Sequence, residues 1–99
     1  MNSVELIGIV RGIRSDELNN QYLVLEVNRP YLDNELSFIA DTFKIYKWGI
    51  VNFGVFTNIF EGSQIAIRGH LIKEKDETII IAEYVKVLYY PKNVVVKGD

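Results

Sequence analysis

The chain has 99 residues, of which 48% are hydrophobic and 24% are charged, and its formal net charge is −2 at pH 7. This length suits one small domain with a single core and excludes two domains. Without cysteine, and with His70 as the only histidine, the chain offers neither disulfides nor a recognisable metal site, and we expect no cofactor. Its apolar runs are too short to span a membrane and its first residues lack the features of a signal peptide, so we expect a cytoplasmic protein.

The first predicted strand covers residues 4–14, in which β-branched side chains are frequent. Gly8 and Gly12 lie within it and indicate a bulge or bend, of the kind that a small closed barrel needs. Both faces of this strand are apolar, with Val4, Leu6 and Val10 on one and Ile7 and Ile9 on the other. A barrel wall needs only one apolar face, so the second predicts a homo-dimer or homo-tetramer formed through this strand.

The second predicted strand covers residues 21–28 and follows a polar turn. Pro30 is expected to end it, because proline cannot donate a hydrogen bond to a strand ladder. Alternation along the strand places Leu23, Leu25 and Val27 inward and Tyr22, Val24 and Glu26 outward. Residues 31–36 are predicted to form a loop that leads toward the third strand.

The third predicted strand covers residues 41–48 and has two unlike faces. Phe43 and Ile45 lie on an apolar face, and the opposite face carries Thr42, Lys44, Tyr46 and Trp48. That second face suits a platform on which rings stack on bases while the Lys44 ammonium meets a phosphate. The alternative is that Tyr46 and Trp48 close one end of the core, and the strand alone does not decide between the two.

A short helix is predicted between Gly49 and Gly62, because apolar side chains recur there at helical spacing: Val51, Val55 and Ile59, and Phe53, Phe56 and Phe60. Two more strands follow, over residues 63–73 and 78–90, with a charged hairpin tip between them. Pro91 stops the last strand.

Three strands, a helix and two strands are the element order of the OB fold. We therefore predict an all-β protein with one short helix, a five-stranded Greek-key barrel with the helix between strands 3 and 4. The domain would cover residues 1–92, and residues 93–99 would form a short tail. OB folds bind oligonucleotides over the second and third strands and two of the loops.

Four segments, in this order, resemble bacterial single-stranded DNA-binding proteins: residues 1–4 with Gly8, 27–31, 62–71 and 83–88. The resemblance spans nearly the whole chain. It implies a nucleoid-associated protein that coats single-stranded DNA in replication, repair or recombination without strong sequence preference. The family's acidic C-terminal tip is missing here, so we do not expect partners recruited by such a tail. The tail-less form also resembles primosomal replication protein N, which is our alternative.

The resemblance also implies which side chains contact DNA. Tyr31 and Trp48 fall at base-stacking positions of the family, and Lys44 falls at a basic one. Thr42 stands where the family has a further stacking ring, and Tyr46 on the same face is the candidate to replace it. The family's hairpin aromatic is missing from the short tip here, which implies a smaller footprint.

The remaining candidate contacts come from the residues themselves. Tyr22 lies on the outward face beside the platform. The candidate phosphate contacts are Lys44, Arg29, Arg11, Arg68, Lys73 and Lys75. For each cation the alternative is an ordinary solvated charge, and the net charge of −2 gives nucleic-acid binding no support unless the cations cluster on one face. If several act together, the affinity should fall steeply with salt.

No catalytic constellation is recognisable, so we do not expect an enzyme. His70 has no Ser or Cys partner at a familiar spacing, and the glycines are scattered rather than grouped into a phosphate-binding loop. A hypothesis of another class remains open, in which the domain is a protein-interaction subunit with little DNA binding. RNA binding also stays open, because stacking on bases does not distinguish the two sugars.

Overall fold

A computed structural model describes residues 2–49, 54 and 56–92 of the chain. Five strands make up most of this part: β1 Val4–Ser15, β2 Gln21–Leu32, β3 Phe38–Lys47, β4 Gln64–Glu74 and β5 Glu77–Tyr89. They close into one barrel in the order β1-β2-β3-β5-β4, in which only β3 and β5 pair in parallel. The prediction of an all-β, five-stranded OB barrel is confirmed.

The predicted helix between β3 and β4 is not found among the residues described. Residues 56–62 form an irregular segment with a bend and a turn, while the Gly54 N–H donates to the Lys47 carbonyl at 2.8 Å in an isolated bridge. The glycine and β-branched residues of this segment have low helix propensity, which disfavours a helix. Phe56 and Ile59 are buried in the core from irregular backbone instead. Residues 50–53 and 55 of the predicted helix lie outside the described part.

β2 and β3 are longer than predicted and form a projecting arm. β2 continues past Pro30 to Leu32, and β3 begins at Phe38. The ladder is irregular between the Asn28–Ala40 and Leu32–Phe38 pairs, and Pro30 lies in this irregular part, where its missing N–H breaks no regular pair. The arm beyond Asn28 and Ala40 pairs with no other described strand.

The barrel interior is filled by aliphatic side chains from all five strands, together with two residues of the β3–β4 connection: Val10, Leu23, Leu25, Ile45, Phe56, Ile59, Ile65, Ile67, Ile80 and Ala82. The β1–β2 register shifts between Val10 and Gly12, which confirms the bulge predicted for this strand. The backbones of β4 and β5 approach each other closely at Gly69. A Cβ there would lie 1.9 Å from the Ile81 carbonyl oxygen, so no larger residue fits.

A second, smaller cluster lies on the outside of the barrel. Tyr46, Ile79 and Ile81 are buried there, and Tyr22 and Ile72 pack against them. Residues 79–82 of β5 are therefore buried on both faces, because successive side chains point alternately into the interior and into this outer cluster. No helix among the described residues is long and apolar enough to cross a membrane.

Candidate nucleic-acid interface

The outer face of the β2–β3 ribbon is the surface that the sequence singles out. Tyr22 lies opposite Tyr46, Val24 opposite Lys44 and Glu26 opposite Thr42, so the outward side chains of the two strands share one face. Alternation along β3 extends this face from Phe38 through Lys44 and Tyr46 to Trp48, just after the strand. The predicted composition of this face is confirmed, but its members differ widely in exposure.

Trp48 presents its ring to solvent. Its side chain is 61% exposed, while its backbone N–H donates to the Ala82 carbonyl at 2.8 Å and so fixes the chain against β5. The ring meets His70 in an edge contact, with centroids 5.9 Å apart. His70 in turn has its Nδ1 2.6 Å from Glu83 Oε1. His70 therefore contacts one part of the Trp48 ring, and most of the residue's surface remains exposed to solvent.

Tyr46 is two residues earlier on the same face but is only 6% exposed. Its ring centroid lies 5.4 Å from that of Tyr22, and its hydroxyl donates to Asp16 Oδ2 at 3.0 Å. Burial, together with this bond to a carboxylate, raises the pKa of the Tyr46 hydroxyl. In this structure Tyr46 packs in the outer cluster and has no ring face available to a base. Its burial therefore gives no support to the expectation that Tyr46 replaces the family's stacking ring at position 42.

The β1–β2 turn covers Tyr46 because Asp16 organises it. Besides the Tyr46 hydroxyl, Asp16 accepts the backbone N–H groups of Leu18 and Asn20, both at 2.9 Å. Partial burial by itself would raise the pKa of Asp16, but the bonds from Asn20, Tyr46 and Leu18 outweigh it and lower that pKa. The turn is thus an Asx-type loop whose carboxylate stays ionised at neutral pH.

Lys44 lies between a ring and a carboxylate. Its Nζ is 5.2 Å from the centroid of the Tyr22 ring and 3.0 Å from Glu77 Oε1 on β5. The hydrogen bond to Glu77 raises the pKa of Lys44. Tyr22 is half-buried beneath this ammonium. The predicted neighbourhood of ring and cation is present, but the cation is already paired.

Tyr31 and Arg29 lie at the other end of the ribbon, on the arm. Arg29 binds Asp41 through two bonds, from Nε to Oδ2 at 2.8 Å and from Nη2 to Oδ1 at 2.9 Å, and its Nη1 lies 3.4 Å from the Tyr31 hydroxyl. The Arg29 guanidinium lowers the pKa of Asp41. Alternation places Asp41 on the face opposite Lys44 and Trp48. Tyr31 is 57% exposed there.

The structure does not bring Tyr31 and Trp48 together. On β3, Ile39 is level with the Tyr31 end of the arm, and Trp48 comes nine positions later. At the rise of an extended strand this separation is about 30 Å. A single-stranded DNA that contacts both Tyr31 and Trp48 would have to follow the whole length of β3 and pass round the arm.

The other predicted cations are dispersed. Arg11 pairs with Glu26 at 3.1 Å, and the Arg68 guanidinium lies 5.7 Å from the ring centroid of Tyr84 on the β4–β5 wall. Lys73 is exposed near the end of β4, in no ion pair with a described residue. The predicted candidates thus occupy several strands and both faces of the ribbon rather than one basic patch.

Phe38 is a candidate that sequence reasoning missed. Its side chain is 78% exposed, and it lies on the same β3 face as Lys44 and Trp48. The alternation of side chains that places Trp48 on this face also places Phe38 there, provided that β3 begins at residue 38. The predicted third strand covers residues 41–48, so Phe38 falls outside it and is not among the predicted candidates.

A groove of about 440 Å³ lies between the β1–β2 turn and the β4–β5 hairpin tip, above Tyr22 and Tyr46. Its lining carries four carboxylates, from Asp16, Glu17, Glu74 and Glu77, against two ammonium groups, from Lys44 and Lys75. This part of the OB surface is therefore acidic, and it disfavours phosphate. The open rings lie outside it, at the two ends of β3.

No protein-family model matches the chain, and no curated protein matches it by sequence. Solved structures do match it over most of its length. A small single-stranded DNA-binding protein from Mycoplasma pneumoniae has 18% identity and a TM-score of 0.56, with 96% of this chain and 99% of that chain covered. The dimeric N-terminal domain of the PriB protein from Thermoanaerobacter tencongensis has 15% identity and a TM-score of 0.51, covering 90% and 98%. The chain thus has an OB barrel of the type found in these proteins.

Proposed function

We propose that the protein binds single-stranded DNA without strong sequence preference, in replication, repair or recombination. The observation that carries the proposal is the Trp48 ring, 61% exposed at the end of β3 yet held by the backbone bond to Ala82 and the edge contact with His70. Because the Trp48 ring is already held in place and exposed, binding does not have to order it first. Stacking one base on the ring contributes about 1–3 kcal/mol of affinity, whatever the base. Phe38 offers a second ring on the same face, and Tyr31 a third on the arm.

Trp48 also supplies the test, because it is the only tryptophan of the chain. We expect its fluorescence to be quenched by poly-dT and equally by a mixed-sequence single strand, since every base has a π-face. A duplex of the same sequence should quench weakly, because its bases are already stacked. Absence of quenching by both single strands would remove Trp48 from the interface. Competition between single-stranded DNA and RNA then measures the preference for either sugar.

Self-association belongs to the same proposal and rests on β1. Val4–Ile9 pairs with β4, but pairing with β2 begins only at Ile9, so the first half of β1 has one edge without a strand partner among the described residues. Ile7 is more than half exposed beside that edge. Such an edge is a ready template for a second chain. We expect light scattering to report at least a dimer at micromolar concentration, and Ile7→Lys to shift it toward monomer.

The acidic groove favours a second candidate function, that of a protein-interaction subunit with little DNA binding. Four carboxylates line the face where OB folds usually bind oligonucleotides. Under this hypothesis single-stranded DNA causes negligible quenching of Trp48, while a different protein co-purifies with the chain. The quenching titration therefore discriminates between the two functions.

A further inference from the structure

Three of the cations expected to meet phosphates are held by carboxylates in this structure. Arg29 pairs with Asp41, Lys44 with Glu77 and Arg11 with Glu26, at 2.8, 3.0 and 3.1 Å. In each pair the cation and the carboxylate belong to different strands. Each of these three cations is therefore already partly neutralised by a carboxylate before any phosphate arrives.

We propose, on the basis of the proposed function, that Asp41 and Glu77 act as internal competitors for the phosphates of single-stranded DNA, so that binding exchanges one ion pair for another. Each carboxylate keeps its cation in place in the unbound protein and is displaced when a phosphate arrives. The two acidic side chains then set how tightly, and with what salt dependence, the strand binds.

The geometry of the Arg29–Asp41 pair supports the exchange. The guanidinium donates two roughly parallel bonds to the two carboxylate oxygens, and a phosphate accepts from the same fork in the same manner. Both side chains are about two-fifths exposed, so a phosphate can approach without any rearrangement of the core. Asp41 thus occupies a position that a phosphate oxygen pair would fit.

The Lys44–Glu77 pair supports it in the part of the surface nearer Trp48. Glu77 lies at the start of β5, next to the β4–β5 hairpin tip, and its side chain is about half exposed. Lys44 is steadied from the other side by the Tyr22 ring at 5.2 Å, so its ammonium stays in place when Glu77 leaves. A displaced Glu77 turns into solvent and breaks no packing.

The exchange has a measurable consequence in salt dependence. A cation without a partner releases a counterion from the phosphate that it binds, which contributes about 0.7 to the slope of log K against log salt for a single strand. In an exchange the liberated carboxylate keeps its negative charge near the bound phosphate and attracts cations from solution, so the net release is smaller than for an unpaired cation. We therefore expect a shallow slope for the wild-type protein, in place of the steep slope that several unpaired cations would give.

The test compares Glu77→Gln and Asp41→Asn with the wild-type protein, by titration of poly-dT against Trp48 fluorescence at several salt concentrations. Each variant should bind roughly two- to five-fold more tightly at low salt, the range of a surface ion pair, and should steepen the slope by at most about 0.7. Circular dichroism establishes that the variants are folded before affinities are compared.

Glu17→Gln is the matched control, because it removes one negative charge from the same groove while Glu17 is in no ion pair with a described residue. It should leave the slope unchanged. If Glu77→Gln and Glu17→Gln behave alike, or if both paired-carboxylate variants bind more weakly than wild type, the exchange is overturned while single-stranded DNA binding stands. If no protein of the set binds poly-dT, the proposed function fails instead.

Discussion

Tyr46 and Trp48 lie on the same face of the same strand, two residues apart, and differ almost completely in exposure. Tyr46 is 6% exposed under the β1–β2 turn, with its hydroxyl bound to Asp16, whereas Trp48 is 61% exposed beyond the reach of that turn. Alternation determines the direction in which a side chain points, but the loops above the sheet determine whether it meets solvent. On this barrel one ring stabilises the fold and the other remains available for binding.

The largest expected effect is the loss of stability in Tyr46→Ala. This change removes a buried ring that packs against Tyr22, Ile79 and Ile81, and large-to-small substitutions of aromatic residues cost about 3–5 kcal/mol. Trp48→Ala should cost less than about 1 kcal/mol, because surface substitutions away from special features usually change stability little. Urea unfolding followed by circular dichroism measures both. Equal losses in the two variants would contradict the distinction between the two rings.

The second prediction concerns the affinity for single-stranded DNA, on which the change at Trp48 should have a larger effect than the change at Tyr46. Trp48→Ala should weaken binding of single-stranded DNA by about 1–3 kcal/mol, or roughly 5- to 150-fold, because it removes a stacking platform. Tyr46→Phe keeps the buried ring and should leave the affinity close to that of wild type. Filter binding with labelled oligonucleotides measures both variants, since the first has no tryptophan. A weaker Tyr46→Phe beside an unchanged Trp48→Ala would reverse our assignment.

The sequence predicted the barrel well because its signals are local. Alternating apolar residues predict each strand, and Gly12 predicts the bulge in β1. The covering of Tyr46 was not predictable in this way. It depends on Asp16, thirty positions earlier, receiving bonds from its own turn and from the Tyr46 hydroxyl, and no period along β3 carries that information.

The arm and the ion pairs show the same limit. Pro30 normally ends a strand, but here an irregular stretch of ladder accommodates it, and the arm beyond it includes the start of β3 at Phe38. The pairing of Lys44 with Glu77, and of Arg29 with Asp41, joins positions far apart in the chain. A list of cations in a sequence cannot show which of them are neutralised by carboxylates on neighbouring strands.

Phe38 provides the third prediction, because it extends the open part of the β3 face to the arm. Phe38 and Trp48 are ten positions apart on one face, about 33 Å along an extended strand. Phe38→Ala should therefore weaken the binding of a long oligonucleotide by about 1 kcal/mol and leave a short one, which reaches only Trp48, unaffected. Fluorescence titration with oligo-dT of increasing length measures this. Leu36→Ala is the control, an exposed apolar change in the same arm that removes no ring.

The smallest expected effect is the acid sensitivity of the turn that covers Tyr46. The folded pKa of Asp16 is lowered from its usual 3.8, so its ionised form stabilises the folded protein above that pH, and the contribution is lost as the pH falls through 3.8 toward the folded pKa. The urea midpoint of wild type should therefore fall more than that of Asp16→Asn between about pH 5 and about pH 3. Tyr46→Phe removes one of the hydrogen bonds to the carboxylate and should give an intermediate slope. Glu17→Gln, in the same turn, should follow wild type throughout, because the hydrogen bonds that lower the Asp16 pKa remain in place. If Asp16→Asn also follows wild type, the turn is not held by an ionised carboxylate, and another interaction must seal Tyr46 while Trp48 stays open.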